Sequence, residues 1–200
     1  MGTCSVTRPL REITATAGIN VLVAPCYRRQ GWGRRLLEHA ESVTWADTCP
    51  EELVAEYAVF KNRMSTDVPT AGLGGEAEDW DPARVREEER TSGRGGVQVQ
   101  VAAARHHGTG RLVACTVLNW RAGVPATITQ QDTLVAAEHR GKGLGLLVKT
   151  ANLRAAQERW PAARSVLTWN AVENRHMLAI NITLGFKPAG YEGEWQKRLG

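Results

Sequence analysis

The sequence lacks any uninterrupted apolar run long enough to cross a bilayer, although 42% of its 200 residues are hydrophobic. Its first residues, MGTCSVTRPLREI, also lack the apolar segment of a secretory signal. Gly2 alone suggests N-myristoylation, but that signal requires Ser or Thr at position 6, where this chain has Val6. We therefore expect a cytoplasmic protein without a membrane partner.

The cysteines and histidines also lack the spacing of a disulfide framework or a metal site. The four cysteines, at positions 4, 26, 49 and 115, show no C-x-x-C spacing, so we expect reduced structural thiols. His106 and His107 are adjacent at the end of a predicted hairpin, where neighbouring side chains point to opposite faces. We expect them, and His176, to be surface residues, and we predict no metal site.

The charge is not concentrated in one run. The formal net charge is +4, but the arginines are scattered from Arg8 to Arg198 and no aromatic stacking pattern accompanies them. We therefore expect no nucleic-acid partner. One short acidic stretch is interpreted as a solvated face, with attraction of a cationic amine as the alternative; it contains Glu76, Glu78, Asp79 and Asp81.

Two common phosphate-binding motifs are missing from the glycine-rich stretch EHRGKGLG (138–145). A dinucleotide fingerprint requires a third glycine where Leu146 stands, and no G-x-x-x-x-G-K-[ST] string exists. The stretch instead reads R-x-x-G-x-G over residues 140–145, which we call the glycine loop, between a strand-like and a helix-like run. Glycines let main-chain N–H groups approach an anion, and a helix N-terminus adds unpaired donors. Arg140 and Lys142 would add positive charge.

The same pattern occurs twice. VAPCYRRQGWGRRLL (23–37) aligns without a gap on VAAEHRGKGLGLLVK (135–149), and each copy follows a β-type run and enters a helical pattern. Few residues precede the first copy, whereas a full set of elements surrounds the second. We interpret residues 1–44 as a truncated first unit, with a strand over 19–23 and a helix over 33–44, and residues 45–200 as a complete domain.

Hydrophobic periodicity predicts the elements of this domain. Helices are predicted over 50–65 and after Asp81, followed by a flexible joint over 91–96 and a hairpin over 97–120. A strand over 127–136, a helix from Leu144 to Pro161, a strand over 164–169 and a helix over 171–184 come next. Short strands around FKPAGY and EWQKRL close the chain. The fold class is α/β.

TLVAAEHRGKGLGLLVK (133–149) resembles the acyl-coenzyme A binding segment of the GNAT-type (GCN5-related) N-acyltransferases, and TWNAVENRHMLAINITLGF (168–186) is similar to the segment that follows it. The whole is similar to the C-terminal unit of a bacterial tandem-GNAT protein. The resemblance implies a mixed central sheet, flanked by helices, that splays between the strands at 127–136 and 165–169. It also implies acetyl-CoA as cofactor.

The resemblance further implies where the cofactor binds. Pantetheine would bond to the backbone near Leu134 and Val135, and the diphosphate would lie on the N–H groups of the glycine loop. The resemblance also places Asn170 and Asn174 near the cofactor. As alternatives, Asn170 is an N-cap in a capping box with Glu173, and Asn174 has a structural role. The implied cofactor-binding set is Leu134, Val135, Arg140, Gly141, Lys142, Gly143, Leu144, Gly145, Asn170 and Asn174.

The implied reaction is acetyl transfer to an amine, which requires a group that accepts a proton. Asp132 is the candidate base, with a solvent-facing strand role as its alternative, and Glu138 is a second candidate. The Val135 N–H would stabilise the oxyanion. The family often has a tyrosine four residues before the final G-F; here Asn181 stands there, and an amide orients the sulfur but supplies no proton.

The acceptor is expected to be a small-molecule or peptide amine. Because Asn181 replaces the usual acid, a catalytically weak or inactive CoA-binding module is the alternative function. The strand over 19–23 and the helix over 33–44 are expected to pack on the C-terminal domain or to pair with another chain, which leaves a homodimer open.

Overall fold

A five-stranded mixed sheet forms the centre of the computed structural model, which describes residues 2–7, 18–23, 39–67 and 78–192. Its strands lie in the order β3-β4-β5-β6-β7. They span Ala40–Ala46, Val97–His106, Leu112–Arg121, Thr127–Val135 and Ser165–Leu167. A separate antiparallel pair consists of β1 (Gly2–Thr7) and β2 (Gly18–Val23).

In the part of the chain that the structure describes, four helices accompany the sheet: α1 (Glu51–Asp67), α2 (Pro82–Arg94), α3 (Leu144–Arg159) and α4 (Arg175–Thr183). A 3₁₀ turn, Ala137–His139, follows β6. The predicted hairpin, the strand after it and the helix that ends before Pro161 are confirmed. Within the described ranges, no helix is long and apolar enough to span a membrane.

The sheet is buried on both faces, as the alternation along β4 shows. Val101 and Ala103 belong to one hydrophobic cluster, together with Leu53, Tyr57 and Phe60 of α1. Ala102 and Ala104 belong to another, with Leu144, Leu147 and Val148 of α3. Because successive side chains of a strand point to opposite faces, α1 covers one face and α3 the other. The amphipathic pattern over 50–65 predicts that Leu53, Val54, Tyr57 and Phe60 face the core, and all four are buried.

The sequence predicts that Asp81 caps α2 and that Pro82 lies in its first turn, and both predictions are confirmed. Asp81 is its N-cap, and the side chain accepts a hydrogen bond from the Arg84 N–H at 2.7 Å, with Pro82 in the first turn. The helix continues through Arg94, so the prediction of a flexible joint over 91–96 is wrong for its first four residues. The chain turns only at Gly95 and Gly96, where Gly96 takes φ of 66°.

The predicted helix over 33–44 is wrong from residue 40 onward. Residues 40–46 form β3, which pairs antiparallel with β4 from Ala40↔His106 to Ala46↔Gln100. The run SVTW has high β-propensity, and the edge of β4 supplies unpaired backbone groups that outweigh a local helical pattern. Residues 33–38 of that prediction, and residues 24–37 of the first glycine copy, lie outside the described residues. Strand β1 lies beside this sheet, since its Cα atoms come within 8 Å of Cα atoms in β3 and α3.

Near the C-terminus, two predictions need correction. The helix starts at Arg175 rather than at 171, and FKPAGY (186–191) forms no strand. EWQKRL lies outside the described residues. Consequently β7, with only three residues, has no strand beyond it in the described part of the sheet.

The sheet opens between β6 and β7. These two strands are parallel and pair only from Thr127↔Ser165 to Thr129↔Leu167. β6 then runs on to Val135, and no described strand pairs with this part of β6 on its β7 side. The predicted splay is therefore present, and it leaves a wedge-shaped gap, called the wedge below, whose wall is residues 130–135.

Candidate active site

The wall of the wedge presents backbone donors. Val135 lies opposite Ala114 of β5, while the next residue, Ala136, donates its N–H to Val113 O at 2.9 Å. Bonded and non-bonded pairs alternate in an antiparallel ladder, so the Val135 N–H points away from β5 and toward the wedge. The expected oxyanion donor therefore faces the gap. Leu134, on the same wall, is buried with 4% exposure.

A bulge shapes the same strand. The pairing of β5 with β6 shifts between Thr116 and Leu118, which face Thr133 and Gln130. Such a bulge re-aims side chains and is common beside active sites. The Gln130 amide fills the irregularity by donating to Val117 O at 2.8 Å and to Thr116 Oγ1 at 3.0 Å. Asp132 lies in the bulged segment.

The environment of Asp132 suits a proton acceptor. Its side chain keeps access to solvent. Desolvation raises its pKa above the ordinary value, the Lys61 ammonium partly offsets this, and the carboxylates of Glu88 and Glu78 raise the pKa further. A carboxylate with a raised pKa is a better base than a free one. Lys61 belongs to α1 and Glu88 to α2, so the region beside Asp132 is bounded by these helices.

Glu138 has the opposite character. Its Oε1 accepts a hydrogen bond from Arg63 Nη1 at 3.1 Å. A backbone hydrogen bond, and then the bond from Arg63, lower the pKa of this exposed carboxyl. Because a lowered pKa weakens a base, Asp132 is the stronger candidate of the two.

The glycine loop is open to solvent. Arg140, Gly141 and Lys142 are exposed, Gly143 is partly exposed, and no heavy atom would lie within 4 Å of a Cβ at Gly141. Gly141 and Gly143 take φ of 75° and 79°, which favours glycine, and Gly143 is the N-cap of α3 without a side-chain cap. The first N–H groups of α3 have no intrahelical acceptor, so an anion fits here.

The two basic residues of the glycine loop differ in their contacts. Arg140 donates from Nε to Val135 O at 3.0 Å, so its guanidinium lies at the inner end of the wedge wall. Lys142 is exposed, and its charge reaches the imidazoles of His39 and His139. Leu144 and Gly145 are buried beneath the loop, and a Cβ at Gly145 would lie 2.9 Å from Ile180 Cδ1. Gly145 therefore allows α4 to approach α3.

The three asparagines of the predicted site have different roles. Asn174 is the N-cap of α4, and its Oδ1 accepts from Met177 N at 3.2 Å. Asn170 lies outside that helix, so the N-cap interpretation of Asn170 is wrong. Asn181 is buried with 4% exposure, and its Oδ1 has no hydrogen-bond partner among the described residues. A buried amide oxygen without a partner is costly, so it is an acceptor that a bound ligand could satisfy.

Lys149 is an unusual residue that the sequence analysis did not single out. It is 1% exposed on α3, its Nζ lies 3.5 Å from Thr133 Oγ1, and the Phe186 ring centroid is 5.8 Å away. Desolvation lowers its pKa to about 8. The only sequence signal that pointed to Lys149 is its position one turn after Gly145, in the helix that follows the glycine loop.

The acidic stretch has local partners in its described part. Glu78 accepts from Trp80 Nε1 at 2.5 Å and pairs with Arg84, while Asp81 caps α2. These contacts favour the interpretation of the stretch as a solvated face over attraction of a cationic amine. His107 and His176 are exposed as expected, whereas His106 is partly buried against His39 and His139.

Solved structures that are similar to this fold include acetyltransferases. Over 74% of this chain and 42% of that one, a tandem GNAT protein from the clavulanic acid biosynthesis pathway is 35% identical, with a TM-score of 0.58. An acetyltransferase of Trypanosoma brucei is 18% identical over 78% of this chain and 99% of its own, with a TM-score of 0.50. An aminoglycoside N-acetyltransferase solved in complex with CoA is 11% identical over 80% and 97%, with a TM-score of 0.53.

No protein-family model and no curated protein matches the chain. The two weaker structural likenesses support the fold. The chain spans 42% of the tandem GNAT protein, to which it is 35% identical. Together with the splayed mixed sheet and the open loop before α3, this similarity shows that the chain belongs to the GNAT acetyltransferase family.

Proposed function

We propose that the chain transfers an acetyl group from acetyl-CoA to the amine of a small molecule or peptide. The observation that carries this proposal is the continuity of the wedge with the glycine loop. The Val135 N–H faces the gap between β6 and β7, and the exposed residues 140–142 follow within a few residues. One elongated ligand with an amide-containing arm and a charged end would match both features.

The residues fit such a ligand chemically. The N–H groups of residues 141–145 would bind the diphosphate, with Lys142 and Arg140 adding charge. The backbone of Val135 would bond to the pantetheine arm, whereas the backbone of Leu134 faces β5 because Leu134 and Cys115 form a hydrogen-bonded pair of the ladder. Asn170 and Asn174 lie in the segment after β7. When bound, acetyl-CoA would supply the acetyl group as a thioester.

Asp132 would accept the proton from the attacking amine. An amine with a pKa near 10 is mostly protonated at neutral pH, so a base in the site is needed. Desolvation raises the pKa of Asp132 and improves it as a base. The Val135 N–H would donate to the acyl oxygen as negative charge develops there.

Asn181 would orient the sulfur atom of acetyl-CoA. Its unpartnered Oδ1 accepts hydrogen bonds, but the amide has no proton to release. A thiol with a pKa near 8.5, by analogy with cysteine, leaves without an acid. The substitution also motivates the second candidate, a CoA-binding module with little or no transferase activity.

The test is release of free thiol from acetyl-CoA in the presence of a panel of primary amines. The proposal predicts amine-dependent turnover by the wild-type chain and binding of acetyl-CoA by calorimetry. Binding without transfer to any amine would support the second candidate. Failure of the folded protein to bind acetyl-CoA would overturn both.

A further inference from the structure

Three histidines from distant parts of the sequence meet at one end of the sheet. His39 precedes β3, His106 is the last residue of β4, and His139 ends the 3₁₀ turn after β6. Each offers one ring nitrogen, and these three nitrogens all lie within 4.8 Å of one another. We call His39, His106 and His139 the histidine cluster; its ring centroids are 4.6, 4.9 and 5.2 Å apart.

Backbone hydrogen bonds hold the three residues in place. His107 N donates to His39 O at 3.1 Å, which extends the pairing of β3 with β4 by one step. His106 N donates to Arg111 O at 2.9 Å within the hairpin, and His139 N donates to Ala136 O at 2.8 Å. Since every member is attached to regular structure, the cluster is preorganised in the folded chain.

Charged groups border the cluster. Lys142 interacts electrostatically with the imidazoles of His39 and His139. Arg63 and Glu138 pair with each other beside His139.

We propose that His39, His106 and His139 bind a divalent transition-metal ion such as Zn²⁺, Co²⁺ or Ni²⁺. Three imidazoles with one open position form a ligand set that suits these ions, whereas Mg²⁺ and Ca²⁺ prefer oxygen ligands. In a tetrahedral site with metal–nitrogen bonds of about 2.0–2.1 Å, ligand nitrogens are roughly 3.3 Å apart. Because the three nitrogens lie within 4.8 Å of one another, binding requires them to move closer by at most roughly 1.5 Å.

The hydrogen bonds of the cluster are compatible with this change. His39 Nε2 lies 3.0 Å from His139 Nδ1, a contact that a metal bound to both nitrogens would replace. His106 Nδ1 lies 3.1 Å from Thr109 Oγ1. If Nδ1 carries the proton and donates to this hydroxyl, Nε2 presents its lone pair as the ligand, which is the outer-shell arrangement common at metal-bound histidines.

An entry path exists beside the cluster. His139 and Thr109 line a cavity of about 180 Å³ together with Arg63 and Glu138. An ion can therefore reach His139 without unfolding of the core. The positive charges of Lys142 and Arg63 oppose a cation, so we expect moderate affinity, on the order of micromolar, rather than the tighter binding of closed structural sites.

The test titrates Co²⁺ or Zn²⁺ alone into the full chain, without acetyl-CoA, by calorimetry and by cobalt absorption. We expect one ion per chain, tetrahedral d–d bands, and no thiolate-to-cobalt charge transfer. His39→Gln, His106→Gln and His139→Gln should each weaken binding about tenfold or more. His176→Gln, in an exposed histidine on α4, is the matched control and should leave binding unchanged.

A second measurement does not depend on variants. In the ¹⁵N-labelled wild-type chain, Zn²⁺ should shift the imidazole nitrogens of His39, His106 and His139 in long-range ¹H–¹⁵N spectra and leave His176 in place. Binding that is equally weakened by His176→Gln, spectra in which the cluster does not respond, or affinity no tighter than millimolar would overturn the proposal.

Discussion

The ammonium nitrogen of Lys149 lies 3.5 Å from Thr133 Oγ1, and within the described ranges no carboxylate forms an ion pair with it. Burial lowers the pKa of Lys149 to about 8, from 10.5 in the unfolded chain. The charged form is thus disfavoured in the folded state. At neutral pH, where both states are protonated, the lysine reduces stability by about 3 kcal/mol.

Replacement of this lysine should therefore stabilise the protein. Lys149→Met keeps the length of the side chain, and we expect it to raise the free energy of unfolding at pH 7 by about 1–3 kcal/mol, measured by urea denaturation. Because the unfolded chain binds the extra proton between pH 8 and 10.5, wild-type stability should gain from this group as pH rises through that window. The variant should lack this gain, and a variant less stable than wild type would contradict the account.

The N-cap of α4 provides a second prediction. Asn174→Ala removes the acceptor of the Met177 N–H and should cost about 1 kcal/mol in unfolding free energy. Asn170→Ala is the matched control, because Asn170 lies outside the helix and should cost less. Equal losses in urea denaturation would show that the helix does not depend on this cap.

Asp132 is tested by the pH dependence of transfer. A base must be ionised, so wild-type kcat/KM should fall as pH decreases through the pKa of Asp132, which desolvation raises above its ordinary value near 3.9. Asp132→Asn should lower kcat about 100-fold and remove this acid limb without loss of stability. Glu158→Gln, an exposed carboxylate near the end of α3, is the control. Retention of the acid limb in Asp132→Asn would assign the base elsewhere.

Long periodic segments explain how much of the fold could be predicted. The α1 positions Leu53, Tyr57 and Phe60, the alternation over 97–103 and the helix from Leu144 each carry a local signal that the tertiary structure preserves. Residues 40–46 do not, since their strand state depends on the edge of β4, more than fifty residues away. The N-cap alternative for Asn170 is wrong because a capping-box pattern also occurs four residues before the real cap at Asn174.

The candidate site also contains features that a local signal predicts and features that depend on distant residues. The glycine loop and the strand before it are contiguous in sequence, so their motif was visible there. The histidine cluster was not visible, because only the pairing of β3 with β4 and the position of the turn after β6 bring positions 39, 106 and 139 together. Both His106 and His107 were predicted to be surface residues; His107 is exposed, but His106 is partly buried against His39 and His139, which the local sequence does not indicate.

The central claim is that the amides at the start of α3 hold the charged end of acetyl-CoA, and calorimetric titration of the full chain with acetyl-CoA tests it most directly. We predict binding of one molecule per chain that weakens about tenfold or more in Lys142→Glu, through charge reversal at the loop. Arg121→Glu makes the same change in net charge at the opposite end of the sheet and should bind as wild type does. Absence of binding to the folded chain, or equal affinity in both variants, would contradict the claim.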